Sequence, residues 1–367
     1  MNKTAIILFN LGGPDQLSSV KPFLFNLFND RAIIDLINPF RFLLAKLISG
    51  RRQKKASDIY RLIGGKSPLL EITNAQNNAL EKELRNFGNF KVFTSMRYWH
   101  PFSFEIIDEV LNYQPEQVIL LPLYPQFSTT TSKSSIDDFI YHFNKKIKKN
   151  NTKIIIKSIC CYPTEPNFID SHAKLLKETI KKSGQNFDDF LKNFRILFSA
   201  HGLPQKVIDK GDPYVYQVEK TVTSVIEKLK ELFGDEDQKI SLNFDHQLCF
   251  QSKVGPLKWT SPSLDNEIKR AASDKKSVII VPIAFISEHS ETLVELDIEY
   301  KKLAHDLQIK DYFRVPALNI DPDFIKSLTN LCLKTANSDS SNGGGYNDKR
   351  LCPNNFCQCI YPNISKA

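Results

Sequence analysis

The sequence predicts a parallel, doubly wound α/β protein built as two similar halves, and three features carry that prediction. Eight short apolar or β-branched runs recur along the 367 residues, each followed by turn residues and then a helical pattern. Most of these runs are continuously apolar rather than alternating, as expected for strands buried on both faces. They fall into two sets of four, divided near Pro163.

The first set is 4–10, 91–98, 117–124 and 153–160; the second is 194–201, 241–247, 277–285 and 312–318. Helical patterns at 74–85, 104–111, 167–181 and 216–232 lie between them. The expected organisation is one half over 1–163, a second over 164–336, and a Gly/Ser/Asn linker with a cysteine-bearing tail over 337–367. In such sheets ligands collect at the carboxyl ends of the strands. The conspicuous residues lie there: Asn10 to Pro14, Arg97 to His100, Tyr124 to Ser128, His201 to Pro204 and Phe285 to Glu291.

Composition narrows the function classes. The chain is 41% hydrophobic, so it is globular, and a core of this size needs no disulfides or structural metal. The formal net charge of +8 invites an anionic partner. A Lys/Asn/Ile/Phe-rich composition also follows from A/T-biased coding, and no patch of basic residues with interleaved aromatics appears, so nucleic acid is not expected. The densest basic run, Lys145, Lys146, Lys148 and Lys149, reads as a solvated helix end. Seven cysteines without a secreted framework point to a reducing compartment. The first 15 residues read as a buried strand rather than a signal peptide, and no apolar stretch reaches the ~20 residues that span a bilayer. The expected location is the cytoplasm, or a cytoplasmic membrane face.

The chemistry is concentrated in SEHSETLVELDIEY, 287–300. In an α-helix beginning near Glu288, the spacing of Glu288, Glu291, Glu295 and Glu299 puts four carboxylates within about 80° of arc. The first of them suit the helix dipole by roughly 0.3–1 kcal/mol each, whereas like charges at i,i+4 cost about 0.2–0.5 kcal/mol. No lysine intervenes before Lys301. Such a row binds cations or passes protons, with His289 at its head; the alternative is a solvated helix face. His201, in FSAHGLP, ends a buried strand before Gly202, and its imidazole suits Fe(II) or Zn(II) and proton transfer near pH 7. Gly65-Lys66-Ser67 mimics a phosphate loop, but Tyr60 stands where its first glycine belongs and Pro68 follows. Gly12-Gly13 lacks the full dinucleotide fingerprint, and no G-x-S-x-G elbow occurs.

In this order, LFNLGGP (8–14), YRLIGGKSP (60–68), MRYWHP (96–101), LPLYPQFSTTT (121–131), ILFSAHGLP (196–204), GDPY (211–214), QSKVGPLKW (251–259) and VPIAFISEHSETLVELDIEY (281–300) resemble the ferrochelatase family. The resemblance implies two Rossmann-like halves, each with a four-stranded parallel sheet flanked by helices (the chelatase fold). It implies insertion of Fe(II) into protoporphyrin IX to give protohaem, with release of two protons and no required cofactor. His201 and Glu291 are then metal ligands or proton acceptors, with Glu288, His289 and Glu295 as catalytic partners. Many members have Asp where this chain has Glu288. Leu11, Arg51, Arg52, Tyr60, Ser67, Arg97, Tyr98, Tyr124, Trp259 and Phe285 are implied porphyrin contacts, the arginines suiting propionates.

The same resemblance makes 38–52 an apolar lip. Phe40, Phe42, Leu43, Leu44, Leu47 and Ile48, beside Arg41, Lys46, Arg51 and Arg52, read as a peripheral contact with an anionic membrane; lid packing is the alternative. Some members hold a [2Fe–2S] cluster on three tail cysteines and one from the body. Here the candidates are Cys352, Cys357 and Cys359 with Cys161 (or Cys160), in a spacing unlike that of animal members; free thiols are the other reading. The chain is expected to act as a monomer or homodimer. The rival functions are a non-catalytic haem or metal-binding module, or a coproporphyrin or cobalt chelatase.

Overall fold

The computed structural model describes residues 3–150, 154–234, 242–338, 342–343 and 350–361. Most of the expected linker, and the first residues of the strands expected at 153–160 and 241–247, lie outside them. Among the described residues nine strands follow in chain order: β1 Thr4–Asn10, β2 Phe90–Met96, β3 Gln117–Pro122, β4 Ile155–Ile159, β5 Phe194–His201, β6 His246–Gln251, β7 Ser277–Pro282, β8 Tyr312–Arg314 and β9 Asn342–Gly343. They form two parallel sheets, ordered β2-β1-β3-β4-β9 and β6-β5-β7-β8. The first four strands of one sheet and the four of the other thus share a strand order. The two-residue β9 extends the first sheet beyond the four strands expected.

The helices of the N-terminal part are α1 Val20–Phe28, α2 Phe40–Arg61, α3 Leu69–Leu84, α4 Ser103–Asn112 and α5 Ser132–Asn150. Those that follow are α6 Pro166–Lys182, α7 Phe187–Asn193, α8 Gln205–Asp209, α9 Tyr214–Phe233, α10 Leu264–Ser273, α11 Lys301–Asp306 and α12 Pro322–Asn337. The chain divides into two compact units. One holds the residues up to Tyr162 with those of 325–351 and 360–361, and the other holds Pro163–Phe324 with Cys352–Cys359. The units divide after Tyr162, and most of α12 lies in the first of them.

Continuous burial explains why the central strands were legible. All seven residues of β1 are buried, as are all six of β7. Ala5, Ile7 and Phe9 pack with Phe93, Val118 and Phe139 in the first core. Leu197, Val278 and Ile280 pack with Ile268 and Leu296 in the second.

Two strands depart from the sequence prediction. The run expected at 241–247 pairs instead as His246–Gln251. Asp245 is drawn out of it by Arg195, whose Nε and Nη2 donate to the carboxylate at 2.9 and 3.0 Å. Strand β8 stops at Arg314, two residues before Pro316, which has no N–H for a sheet ladder.

Each strand order reverses direction once, between β1 and β3 and between β5 and β7. Such a reversal opens a crevice at the carboxyl ends of the strands. In the second unit that edge carries His201 at the end of β5 and 283–291 after β7.

Candidate metal and proton centre

The segment Glu291–Tyr300 is a π-helix rather than the α-helix expected from Glu288. Its i→i+5 turn takes roughly four and a half residues, so Glu291, Glu295 and Glu299, spaced by four, still share a face. Glu288 falls outside it and the four-carboxylate row is broken. Glu299 is exposed, as a solvated face would have it.

His201 Nδ1 donates to Glu291 Oε2 at 2.9 Å, with side chains 37% and 26% exposed. Burial alone would lower the His201 pKa, but the charge and hydrogen bond of Glu291, helped by Glu295, outweigh it and the pKa is raised. For Glu291 burial pushes upward, yet the charge and hydrogen bond of His201, with those of His289, hold its carboxyl well below the usual range. The two therefore titrate as a coupled, charged pair. His289 donates from Nδ1 to the Ser287 carbonyl at 3.1 Å, which turns Nε2 toward Glu291 Oε2 at 3.8 Å. Its ring lies 5.1 Å from that of Phe285.

Glu295 is pushed the other way. Burial and the neighbouring charge of Glu291 raise its pKa, against hydrogen bonds from Ser252 and Gln251. Ser252 grips it twice, from its backbone N–H (2.9 Å) and from its hydroxyl, and Gln251 Nε2 donates to it at 3.0 Å. Ser252 sits at φ +65°, a conformation unusual for a non-glycine residue and found at functional sites. Gln251 is buried, and Ser199 Oγ donates to its Oε1 at 2.6 Å. Gln251 and Ser252 went unnoticed because the strand carrying them was placed too early, although both begin the QSKVGP motif. Gly202 is required by close approach: a Cβ there would stand 3.0 Å from the Gln251 carbonyl oxygen.

Glu288 does not join this group. Its carboxylate accepts from Arg314 and from the Ala317 N–H at 3.0 Å. Burial would raise its pKa, but Arg314 dominates and lowers it. Among the described residues no three or more His, Cys, Asp or Glu side chains are gathered to hold a metal ion. The centre is an open row of donors and not a closed cage.

The other expected contacts are distributed between the units. In the first, Tyr60 and Tyr98 are buried with Phe23 and Leu24, and Leu11 packs against that cluster. The Tyr98 hydroxyl donates to Asp30 at 2.9 Å. Arg97 is engaged by Asp30 (2.9 Å), Ser134 (2.7 Å) and Asp138 (3.4 Å). Tyr124 is half-buried, Ser67 is buried with its N–H donating to the Pro14 carbonyl, Arg51 is exposed, and the Arg52 guanidinium lies 5.6 Å from the Phe28 ring centre. In the second unit, Trp259 Nε1 donates to the Val254 carbonyl at 3.1 Å, and Phe285 is buried.

Of the candidate cluster cysteines, Cys161 and Cys352 are buried, Cys359 is half-buried and Cys357 is exposed. Cys161 lies in the first unit, its Sγ 3.2 Å from that of Cys160. Cys352 is buried with the Gln217 amide 3.1 Å from its sulfur, and the exposed Cys357 donates to the Lys210 carbonyl at 3.3 Å. The tail is seated on Gly211, where φ is +91° and a Cβ would meet Cys357 Sγ at 2.6 Å.

The second unit thus carries a charged His–Glu pair and a second carboxyl of raised pKa at its switch point. Comparison with known proteins makes this specific. A family model described as ferrochelatase matches residues 3–336. The ferrochelatase of Rickettsia bellii (strain OSU 85-389) is 50% identical over 362 residues, covering 98% of this chain and 95% of that protein. That of Pelagibacter ubique (strain HTCC1062) is 47% identical over 360 residues, covering 97% and 98%. Among solved structures, SirB from Bacillus subtilis with Fe3+ shows a distant likeness, with 13% identity, a TM-score of 0.49, and coverage of 91% of this chain and 96% of that one. The chain belongs to the ferrochelatase family. It is accordingly a metal chelatase, a lyase that inserts Fe(II) into protoporphyrin in haem synthesis.

Proposed function

We propose that His201, Glu291 and Glu295 form the centre at which Fe(II) replaces the two pyrrole protons of protoporphyrin IX. The observation that carries this reading is the opposed titration of neighbouring carboxyls: Glu291 held ionised by His201, and Glu295 raised beside it. Pushing two nearby groups apart in pKa is how one site supplies both an anion and a proton acceptor. Glu291 with the imidazole of His201 then offers oxygen and nitrogen donors to iron in transit. Glu295, whose pKa is raised, is the carboxyl that takes up a departing proton, with Ser252 and Gln251 stabilising the anion it must first be. His289 faces the same oxygen of Glu291, its Nε2 3.8 Å from Oε2. In balance, porphyrin N–H bonds lose two protons, two Fe–N bonds form with the resulting anions, and no electron is transferred.

Leu11, Arg51, Arg52, Tyr60, Ser67, Arg97, Tyr98, Tyr124, Trp259 and Phe285 are proposed porphyrin contacts on the family pattern. No helix among the described residues is long and apolar enough to cross a membrane. Helix α2 nonetheless exposes Phe40, Phe42, Leu43 and Leu47, with Lys46 and Arg51 exposed among them. That combination supports peripheral attachment to an anionic membrane surface on the cytoplasmic side. The test of the central reading is anaerobic incubation with protoporphyrin IX and Fe(II) or Zn(II), followed by the Soret and Q bands. Wild type should metallate and His201→Ala should lose at least about a hundredfold in rate; full activity in His201→Ala would overturn it.

A further inference from the structure

We propose that Arg314 is a positioning residue for the metal and proton centre, fixing both ends of the segment that bears His289, Glu291 and Glu295. The inference rests on the reading of Glu291 and Glu295 given above.

Arg314 is the last residue of β8, 12% exposed at its side chain. Its guanidinium donates from Nε to Asp297 Oδ1 at 2.8 Å and from Nη2 to Asp297 Oδ2, a bidentate fork, and from Nη1 to Glu288 Oε1. Glu288 stands three residues before Glu291, and Asp297 two residues after Glu295. One rigid, planar group therefore ties down the chain on each side of the working carboxylates. Two further ties come from β8 and the chain just after it: Tyr312 Oη donates to the Leu296 carbonyl at 2.7 Å, and the Ala317 N–H donates to Glu288.

A ten-residue π-helix needs such bracing, because i→i+5 turns are rare and usually single. If the segment relaxed to α geometry, Glu295 would swing roughly 70° about the axis relative to Glu291. That swing would pull it off Ser252 and Gln251, the groups that hold its carboxylate. Glu288 thus belongs to the brace, its charge neutralised by Arg314, and not to the row that passes metal or protons.

The test uses the full chain with Zn(II) and protoporphyrin IX, comparing Arg314→Lys, Asp297→Asn and, as control, Glu291→Gln. Lysine keeps the charge but cannot fork; Asp297→Asn releases the bidentate contact from a residue that touches none of His201, Glu291 or Glu295 in the hydrogen bonds described. Both should lower kcat about tenfold, with KM for zinc and porphyrin within about twofold, since a misplacement near 1 Å costs up to about a hundredfold. A purely stabilising Arg314 would lower the melting temperature and leave kcat per folded molecule at the wild-type value. If Arg314→Lys does not fold, Asp297→Asn decides alone. Wild-type kcat in the folded variants, beside an inactive Glu291→Gln, would overturn this inference only; a fully active Glu291→Gln would remove the reading beneath it.

Discussion

Replacing Glu291 by glutamine keeps the side-chain shape and removes the charge that sets the titration of His201. In the wild type, burial lowers the His201 pKa while the charge and hydrogen bond of Glu291 raise it further than burial depresses it. A hydrogen bond to a charged group contributes about 1.5–3 kcal/mol. The His201 side chain is 37% exposed, so solvent screening reduces that to about 1–2 kcal/mol. Losing that stabilisation of the charged imidazole should lower the midpoint. The assay is an NMR titration of the His201 ring, assigned by its loss in His201→Ala. Wild type should titrate above the ordinary histidine value and Glu291→Gln below it. The raised pKa also fixes the sign of the stability effect: the pair stabilises the fold below the unfolded histidine value, and that contribution is lost as pH rises through the folded one. The difference in melting temperature between wild type and Glu291→Gln should therefore be larger at pH 6 than at pH 9. Equal midpoints in the two proteins would refute the coupling.

Glu295→Gln should reduce kcat with little change in KM and should abolish the acidic limb of the pH–rate profile. In wild type that limb lies above the ordinary carboxyl range, because Glu295 must ionise before it accepts a proton and its pKa is raised; a limb surviving in Glu295→Gln would count against the role. On vesicles containing anionic lipid, Leu43→Asn/Leu47→Asn should bind about tenfold more weakly than wild type in flotation assays, while activity with detergent-solubilised porphyrin is kept; undiminished binding would remove α2 as the contact. Gly211→Ala should unseat the tail, seen as faster alkylation of the buried Cys352 by mass spectrometry; an unchanged rate would mean that the tail is held elsewhere.

What the sequence disclosed and what it concealed have physical causes. Strands such as β1 and β7 are buried on both faces, so their apolar runs are unbroken and read directly. The candidate centre was legible because His201 and the residues around Glu291 end or follow such strands. The π-helix was not, since apolar spacing has no separate signature for i→i+5 bonding. Its consequence was the loss of Glu288 from the carboxylate row. Gln251 and Ser252 were missed through a strand placed a few residues early, where Phe244 and Asp245 imitate a strand that Arg195 interrupts. Arg314 gave no local sign at all: its importance comes from β8 lying beside β7, a register that only the fold supplies. Tyr60 and Tyr98 show the converse: their motifs were plain in the sequence, but their burial beside Phe23 and Leu24 comes only with the fold.

Metal entry and proton departure are proposed to be coupled at the His201–Glu291 pair. The most direct measurement is single-turnover zinc insertion into bound protoporphyrin IX, with Soret absorbance and a pH indicator recorded together. Wild type should release two protons per metal inserted, and Glu291→Gln should slow both signals equally, by about a hundredfold or more, while still binding porphyrin. Metallation by Glu291→Gln at the wild-type rate would contradict the account.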